Sequence, residues 1–428
     1  MKPISPFGLP IGISIAFWSI VGLLRLIWEK FIRKSIYPVT GTNKMNPEDI
    51  AVILPAHNEE LVIRGSIKAL KQMLSPKQIY VAADGCTDKT YRRARMEGCH
   101  VSYLNPGRGK ARALVYLLRR FRLFDRYKLI FILDADTRPD GELIKKALPF
   151  FNDADIGVVF AASKITWRQH WIPNLKYYFI SYRERLNRML QYLLIFGQTW
   201  KYTSVNYVIP GFCTIYRSEI LKQLQIDTPG ILIEDFNLAF QFHKKRLAKL
   251  GYHPSLIAWD QYPDNLKDYV GQVRRWNIGF FQTVRANGIW PSFFWLTLGV
   301  FSFEVIANSI FVLFVPFLLL YLLSPWYAGA GFILDSFNNL YQHIGPYKTL
   351  SLSDIFVGTF LIDYAVTVVI GLINRKPQFI IYGLFFFFMH FVVSLVLLSS
   401  IIPGFFGSSS GRWVPPTRSA EQLGVAKV

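Results

Sequence analysis

The stretch Leu129-Ile-Phe-Ile-Leu-Asp-Ala-Asp136 is a run of apolar residues that ends in two carboxylates, Asp134 and Asp136. A short apolar run of this kind predicts a buried strand. Both carboxylates can face one cation only if the strand ends and the backbone turns between them, and a divalent ion with positions left for phosphate suits such oxygen ligands. Acids that merely terminate a strand are an equally good interpretation, because Pro139-Asp140-Gly141 marks a turn just beyond.

Short β-type runs alternate with helical stretches from Ile50 to Ala161. The runs are Ile50–Leu54, Ile79–Ala83, Val101–Leu104 and Leu129–Leu133, and the helical stretches begin near Leu61, Thr87 and Gly109. Such alternation predicts an α/β domain with a parallel sheet. Ligands of open α/β sheets bind beyond the carboxyl ends of the strands, and the polar motifs of this chain fall there.

Charge and composition point to a membrane surface. The chain of 428 residues carries 48 Lys and Arg against 28 Asp and Glu, and 52% of it is hydrophobic. A basic and apolar chain without a nucleic-acid-binding module fits anionic lipid headgroups better than nucleic acid. Cys86, Cys99 and Cys213 show neither a disulfide framework nor zinc spacing, which fits a reducing compartment.

Four apolar stretches predict helices that span a membrane. They are Leu9 to Trp28, Phe294–Leu323, Ile355–Ile373 and Phe379–Ile402. Lys30, Arg33 and Lys34 follow the first stretch, so the positive-inside bias places the next domain in the cytoplasm. We expect an N-terminal membrane anchor over residues 1–40, a cytoplasmic domain over 41–289, interfacial and transmembrane helices over 290–403 and a C-terminal tail over 404–428. Counting spans puts the tail outside, whereas its basic residues argue for the inside.

Polar residues inside the apolar stretches are costly against lipid and therefore need partners or a polar path. They are Arg25, Glu304, Asp363 and His390. We expect these groups to line a polymer path or to pair with each other. The sequence from Trp290 also predicts an interfacial helix ahead of the second span.

Three loops after the predicted strands carry candidate ligands, each with a plain structural alternative. His57-Asn58-Glu59 fits a helix N-cap as well as a ligand site, and Asp84-Gly85 fits a tight turn. Asn105-Pro-Gly-Arg-Gly-Lys110-Ala111 lacks the glycine and hydroxyl residue of a Walker A loop. Lys110 nevertheless lies at a predicted helix N-terminus, where a phosphate binds well.

Two further motifs lie in the second half of the soluble region. Glu234-Asp235 follows an apolar run and fits a helix start, and in context Asp235 is the best available base. Gln272, Arg275 and Trp276 fall on one face of a helix predicted from Leu266 onward. An interfacial helix anchored by Arg and Trp would show the same pattern.

Together these motifs resemble the processive membrane glycosyltransferases of family 2. The resemblance covers nearly the whole chain and includes poly-N-acetylglucosamine, chitin-oligosaccharide and hyaluronan synthases and, more distantly, cellulose synthases. The matching motifs are Ala56-His57-Asn58-Glu59, Asp84-Gly85, Gly109-Lys110-Ala111, Asp134-x-Asp136, Ile233-Glu234-Asp235 and Gln272-x-x-Arg275-Trp276, and the tail Arg412-Trp-Val-Pro-Pro-Thr-Arg418 is also similar. Ile233 departs from the Thr of cellulose synthases, and His57 from a common Tyr.

The resemblance implies a GT-A fold, a Rossmann-like mixed sheet, joined to transmembrane helices. It implies Asp235 and Glu234 as catalytic residues, His57, Glu59, Asp84, Lys110, Asp134, Gln272 and Arg275 as donor-binding residues, Trp276 as the acceptor residue, and Asp136 and Asp134 as ligands of Mn²⁺ or Mg²⁺. The implied reaction is inverting transfer of N-acetylglucosamine from a UDP-sugar to a growing β-linked polysaccharide, coupled to its translocation.

Two other functions stay open at the level of sequence. Transfer of a single sugar to a lipid acceptor uses similar motifs, and a silent membrane subunit or exporter would need no chemistry. Intact acids at every motif count against a silent subunit. The expected surroundings are the lipid bilayer of a bacterial-type cell membrane, with an accessory membrane subunit as a possible partner and no nucleic acid.

Overall fold

A mixed eight-stranded β-sheet organises the part of the chain that the computed structural model describes, which is residues 12–32, 44–165, 174–323, 339 and 352–409. The strands are β1 (Ile50–Ala56), β2 (Ile79–Asp84), β3 (His100–Leu104), β4 (Leu129–Leu133), β5 (Arg138–Pro139), β6 (Ile156–Lys164), β7 (Cys213–Arg217) and β8 (Lys249–Trp259). Their order in the sheet is β3-β2-β1-β4-β7-β6-β8-β5. The first four strands are parallel, as predicted, and β7 runs antiparallel to both of its neighbours.

Helices cover both faces of the sheet and continue beyond it. They are α1 (Ile13–Ile27), α2 (Ile63–Lys71), α3 (Thr90–Arg95), α4 (Lys110–Arg120), α5 (Leu123–Arg126), α6 (Leu143–Ala147), α7 (Leu175–Met189), α8 (Phe196–Gln198), α9 (Ser218–Leu221), α10 (Glu234–Lys244), α11 (Leu266–Asn287), α12 (Phe293–Leu323), α13 (Leu352–Ile373), α14 (Gln378–Gly383) and α15 (Phe386–Phe406). A π-helical segment, Leu190–Ile195, joins α7 to α8. The helices predicted near Leu61, Thr87 and Gly109 begin one to three residues later, at α2, α3 and α4.

One edge of the sheet collects the ends of most strands. Strands β1, β2 and β4 end there, and β6 and β8 are parallel to them, so they end there too. The antiparallel β7 begins at this edge, where Cys213 pairs with Leu133. In this strand order, residues that follow β1 and β2 lie on one side of β4, and residues that follow β6 and β8 lie on the other side.

The helix α7, absent from the sequence-based prediction, forms a seam between the sheet and the apolar helices. Its residues pack with α13, α14 and α15 in one hydrophobic cluster. Helix α1 packs beside the continuation of α7, because Gly22 and Gly197 let the two backbones approach closely. Trp18 is buried in that contact, against Leu194 and Val205.

Two of the four predicted spans correspond to described helices that are long and apolar enough to cross a membrane. Phe293–Phe314 and Phe386–Phe406 are long and apolar enough to cross a membrane, and Val357–Ile373 is a shorter apolar helix. The predicted stretch Phe379–Ile402 is wrong as one helix, because the chain breaks between α14 and α15. No separate interfacial helix precedes α12 in the described chain; Trp290 packs against Phe240 instead. Arg33, Lys34 and the tail motif Arg412–Arg418 lie outside the described residues.

The polar residues of the apolar stretches have partners, and two of them pair with each other as expected. His390 Nε2 is 3.1 Å from Asp363 Oδ2, and Arg185 of α7 binds the same carboxylate. Glu304 accepts a hydrogen bond of 3.0 Å from the backbone N–H of Ser14. Arg25 donates to two backbone carbonyls of the soluble domain. These contacts tie α1, α12, α13 and α15 to the rest of the fold.

We predict that Gly197→Ala destabilises the protein. A Cβ at Gly197 would lie 2.3 Å from the backbone carbonyl oxygen of Trp18, so α1 must shift outward. Overpacking of this kind costs about 1–3 kcal/mol, which should lower the thermal unfolding midpoint in detergent. Gly271→Ala is the matched control, because a Cβ there meets no atom within 4 Å. An equal midpoint for both variants would contradict the close packing of α1.

Candidate active site

A lysine lies between two carboxylates at the ligand-binding edge of the sheet. Lys110 Nζ is 2.8 Å from Asp134 Oδ1 and 2.9 Å from Glu234 Oε1. The three residues come from the start of α4, the end of β4 and the start of α10, so this ion-paired cluster joins three separate segments. The Glu234 side chain is 8% exposed, whereas those of Asp134 and Lys110 are 23% and 20% exposed. The last two groups therefore remain accessible to a ligand.

The loop before α4 aims Lys110 into this cluster. The Asp84 carboxylate accepts hydrogen bonds of 2.7 Å from the backbone N–H groups of Arg108 and Gly109. Gly85 and Gly107 allow the loops after β2 and β3 to touch, because a Cβ on Gly85 would lie 2.9 Å from the Gly107 Cα. Asp84, predicted to bind the donor, thus fixes the loop that carries Lys110.

Asp235 lies beside Glu234 in the first turn of α10, close to the start of β7. A Cβ built on Gly211 would lie 2.3 Å from Asp235 Oδ1 and 3.1 Å from Glu234 Oε1. A glycine is therefore required here for the carboxylates to occupy their positions. Gly211 carried no signal in the sequence, because its role depends on a contact 24 residues away in the chain.

The two acids of α10 differ in pKa because their charged neighbours differ. Burial raises the pKa of Asp235 to about 7, and repulsion from Glu234 adds to the shift against the attraction of Lys110. Burial also acts on Glu234, but the Lys110 ammonium lowers the pKa of that carboxyl below its usual range. Glu234 is therefore the ionised partner of Lys110. Asp235 has a pKa close to neutrality, which suits a group that accepts a proton.

The backbone turns between Asp134 and Asp136, as a shared cation would require. Strand β4 ends at Leu133, and the N–H of Thr137 donates to the carbonyl oxygen of Asp134 at 3.1 Å. Burial, together with repulsion from Asp136 and against the attraction of Lys110, raises the pKa of Asp134 to about 6. Two neighbouring, half-buried carboxylates fit Mg²⁺ or Mn²⁺. Among the described residues, no group of three or more potential metal ligands occurs.

The loop after β1 lies next to the loop after β2. His57 Nδ1 is 2.6 Å from the Asp84 carbonyl oxygen, and Asn58 Oδ1 accepts a hydrogen bond of 2.8 Å from the N–H of Thr87. Glu59 is buried, and its backbone N–H donates to Thr90 Oγ1 at 2.8 Å. His57 is therefore at the ligand edge with Asp84, whereas Glu59 lies beneath it against α3.

Helix α11 carries the last three predicted residues, all partly buried. Gln272, Arg275 and Trp276 lie on it after the N-cap Asn265, as predicted. The helix is held near α10, because Gly279 leaves room for Ile233 and Gln282 Oε1 accepts from the N–H of Leu232 at 2.9 Å.

One face of Trp276 is covered by a residue that the sequence did not single out. The Arg183 guanidinium of α7 lies 4.3 Å from the Trp276 ring centroid and also near the ring of Tyr262. Tyr262 follows β8 and bonds to Ser163 at the end of β6 at 2.8 Å. Trp276 thus lies on the β6–β8 side of β4, with its ring partly exposed and in contact with a cation.

A small cleft of about 50 Å³ opens beside Lys110 and Glu234. It is lined by the start of α4, by residues 226–232 and by Ser409, which follows α15. The described chain after the last apolar helix therefore returns to the edge that carries the carboxylates.

Comparison with known proteins assigns this arrangement to a family. A family model described as "Glycosyltransferase like family 2" matches residues 47–279, which is more than half of the chain. The chain belongs to glycosyltransferase family 2. The matched region contains every element of the family 2 site described above, from the loop after β1 to Trp276 of α11.

Similar proteins include the "Probable glycosyltransferase YdaM" of Bacillus subtilis, 28% identical over 61% of this chain and 66% of that protein. An uncharacterised protein of Methanocaldococcus jannaschii, MJ1222, is 34% identical over 25% of this chain and 43% of its own length. The matches thus span less than two thirds of either relative. A mannosyltransferase structure from Pyrobaculum calidifontis aligns with a TM-score of 0.51 at 15% identity and covers 88% of this chain and 97% of that one. The predicted GT-A fold is confirmed.

We predict that Gly211→Ala lowers sugar-nucleotide turnover without unfolding the family 2 domain. The added methyl would displace the Asp235 carboxylate by about 1 Å, a misplacement that can cost roughly 10²-fold in rate. Gly141→Ala is the control, because a Cβ there meets only Gln72 Oε1 at 3.7 Å. Turnover and circular dichroism are measured for both. Unchanged turnover in the folded Gly211 variant would show that the position of Asp235 does not limit the reaction.

Proposed function

We propose that this protein transfers a sugar from a nucleotide diphosphate sugar to an acceptor hydroxyl with inversion at the anomeric carbon. The observation that carries the proposal is the cluster of Lys110, Asp134 and Glu234 with Asp235 at its side. Such a site combines a base, a cation and carboxylates for a metal, which are the groups that departure of a diphosphate requires.

The sheet order separates donor from acceptor in this proposal. The nucleotide lies over β1 and β2, near His57 and Asp84, and the reacting carbon lies at the end of β4. The acceptor then comes from the β6–β8 side, where the partly exposed ring of Trp276 would stack against it. Asp235 accepts the proton of the acceptor hydroxyl as that oxygen attacks the anomeric carbon, and the bond to the diphosphate oxygen breaks on the opposite face. Lys110 and Arg275 stabilise the departing negative charge.

Asp134 and Asp136 would hold a Mn²⁺ or Mg²⁺ ion, which supplies charge neutralisation to the diphosphate when bound. The Pyrobaculum structure was solved with GDP-mannose and Mn²⁺, which supports a nucleotide sugar and a divalent ion in the proposal for this chain.

The finer assignment is a membrane-bound synthase that adds N-acetylglucosamine from UDP-N-acetylglucosamine to a growing β-linked polysaccharide and moves the product through the apolar helices. The resemblance of its motifs to processive synthases supports this assignment, as do α12 and α15, which are long and apolar enough to span. Purified protein is incubated with UDP-N-acetylglucosamine, UDP-glucose and GDP-mannose in turn, and the products are sized. Polymer from the first donor supports the proposal. A single sugar on a lipid moves the assignment to a glycolipid synthase, and no transfer from any donor favours a silent subunit.

Asp235→Asn is predicted to abolish transfer while donor affinity stays within about threefold, because the amide keeps the shape but loses the basicity. In the wild type, the carboxylate must be ionised to act as a base. Its pKa of about 7 means that kcat/KM falls as the pH drops below neutrality. A bound cation lowers the pKa of a nearby carboxyl, so it would move this acid limb of the pH profile to lower pH. Near wild-type turnover in the variant, or an acid limb well above pH 8, would rule Asp235 out as the base.

Asp136→Ala is predicted to weaken donor binding in the presence of Mn²⁺ and to leave the weak binding in chelator unchanged. Loss of one carboxylate ligand should cost about tenfold or more in the metal-dependent affinity. Asp155→Ala is the control, since that acid is exposed and pairs with Lys249 away from the site. Donor titrations with and without Mn²⁺ give the comparison, and equal affinities for the Asp136 and Asp155 variants would contradict the metal role.

Trp276→Ala is predicted to shorten the product while donor affinity stays near wild type. The substitution removes the ring that Arg183 backs, and no charge that acts on the donor is lost. Trp276→Phe is the matched control, because it keeps an aromatic face and should retain longer products than the Ala variant. Products of equal length from all three proteins would show that Trp276 does not hold the acceptor.

A further inference from the structure

A buried cluster of basic side chains lies where α7 meets the turn between α13 and α14. Lys376 of this turn has its Nζ 2.7 Å from one oxygen of Glu184, and Arg188 Nη2 is 3.5 Å from the other. Glu184 and Arg188 belong to α7 and are 2% and 5% exposed in their side chains. Lys164, the last residue of β6, faces the same group. We call Lys164, Arg188 and Lys376 the basic cluster.

The basic cluster carries more positive than negative charge. Burial lowers the pKa of Lys164, and the positive charge of Arg188 lowers it further. Burial also lowers the pKa of Lys376, and Arg188 and Lys164 add to that shift although Glu184 opposes it. The remaining charged groups that act on Lys164 are Asp140 and Lys146, which have opposite signs. Lys164, Arg188 and Lys376 thus place three positive charges around the buried carboxylate of Glu184.

Arg188 is not satisfied by its ion pair. The residue is 4% exposed, and its Nε and Nη1 have no hydrogen-bond partner among the residues that the structure describes. Gln191 lies three residues further along and donates its Nε2 to the Ser163 carbonyl oxygen at 3.0 Å, which holds this face of the helix against the end of β6. Buried guanidinium groups without acceptors are costly, so an acceptor is expected in this position.

The location of the basic cluster indicates which kind of anion it would bind. It lies beside the turn that joins two apolar helices, at the level where lipid headgroups meet a membrane protein. It also lies on the β6 side of the sheet, two strand spacings or roughly 10 Å from the end of β4, and not on the β1–β2 side proposed for the nucleotide. A phosphate group has several acceptor oxygens and the negative charge that neighbouring cations favour.

We propose that Lys164, Arg188 and Lys376 bind the phosphate group of an anionic membrane lipid. The site is distinct from the diphosphate site at Lys110 and does not rest on the sugar or on the acceptor proposed above. A bound phosphate would supply an acceptor for one of the unpartnered N–H groups of Arg188 and would hold α7, and with it Arg183 behind Trp276, against the turn of the apolar helices.

The full chain, purified in an uncharged detergent, is titrated with mixed micelles that contain phosphatidylglycerol, with micelles that contain phosphatidylcholine, and with inorganic phosphate. We expect phosphatidylglycerol to bind at least about tenfold more tightly than phosphatidylcholine, as charge-assisted hydrogen bonds require. Native mass spectrometry counts the lipids retained. Equal binding of inorganic phosphate would show that the site takes free phosphate and would overturn the lipid assignment.

Charge-changing variants separate this site from general attraction to a basic surface. Arg188→Gln is expected to lose the preference for phosphatidylglycerol, whereas Glu184→Gln, which removes the competing carboxylate, is expected to strengthen it. A purely structural role predicts weaker binding or lower stability for both. Lys164→Gln, at a more exposed position, gives the same loss if the Arg188 variant does not fold.

Arg285→Gln is the matched control, because Arg285 is exposed and bonds only to the Phe405 carbonyl oxygen among its described contacts. It removes the same charge at a distance from the basic cluster, so the lipid preference should not change. The proposal is overturned if Arg285→Gln weakens binding as much as Arg188→Gln. It is also overturned if Glu184→Gln and Arg188→Gln shift the lipid affinity in the same direction.

Discussion

The ion pairs of Lys110 with Asp134 and Glu234 are the contacts on which the candidate site depends. Each of these partly buried charges would lose hydration free energy without a partner of opposite charge. Their pairing also holds α4, β4 and α10 together at one point. Asp235 lies beside this ion-paired cluster, and burial together with repulsion from Glu234 favours its protonated form. The same arrangement therefore positions the groups and sets their acidity.

The antiparallel strand β7 divides the sheet into two groups of parallel strands. Its entry from the ligand edge places Gly211 beside the acids of α10, and it separates the parallel strands β1–β4 from β6 and β8. The loops proposed to bind the nucleotide and the proposed acceptor residue Trp276 are consequently held by different strands. In that arrangement, changes in acceptor preference would arise near β6 and α7 without altering the loops of His57 and Asp84.

Much of the first half of the sheet could be predicted from sequence, because β1 to β4 are apolar runs bounded by turn residues. Strand β4 was predicted to the residue. Helix α7 escaped prediction because aromatic and charged residues alternate around it: it is buried on several faces, so no polar face marks a helical period. Gly211 and Arg183 could not be predicted, since a contact with Asp235 or Trp276 arises only after folding. The ion pair of Arg185 with Asp363 likewise joins residues 178 positions apart.

Helix α15 lies along α11 for most of its length. Gly404 brings it so close to Phe281 that a Cβ there would be 2.5 Å from the Phe281 Cβ, and Met389 packs in one cluster with Tyr269 and Val273. Two helices in such contact move as one body. In the proposed membrane arrangement, a spanning helix adjusts to a thinner or thicker bilayer partly by tilting, and α11 would follow the tilt of α15. Bilayer thickness would then act on the orientation of Trp276, the proposed acceptor residue.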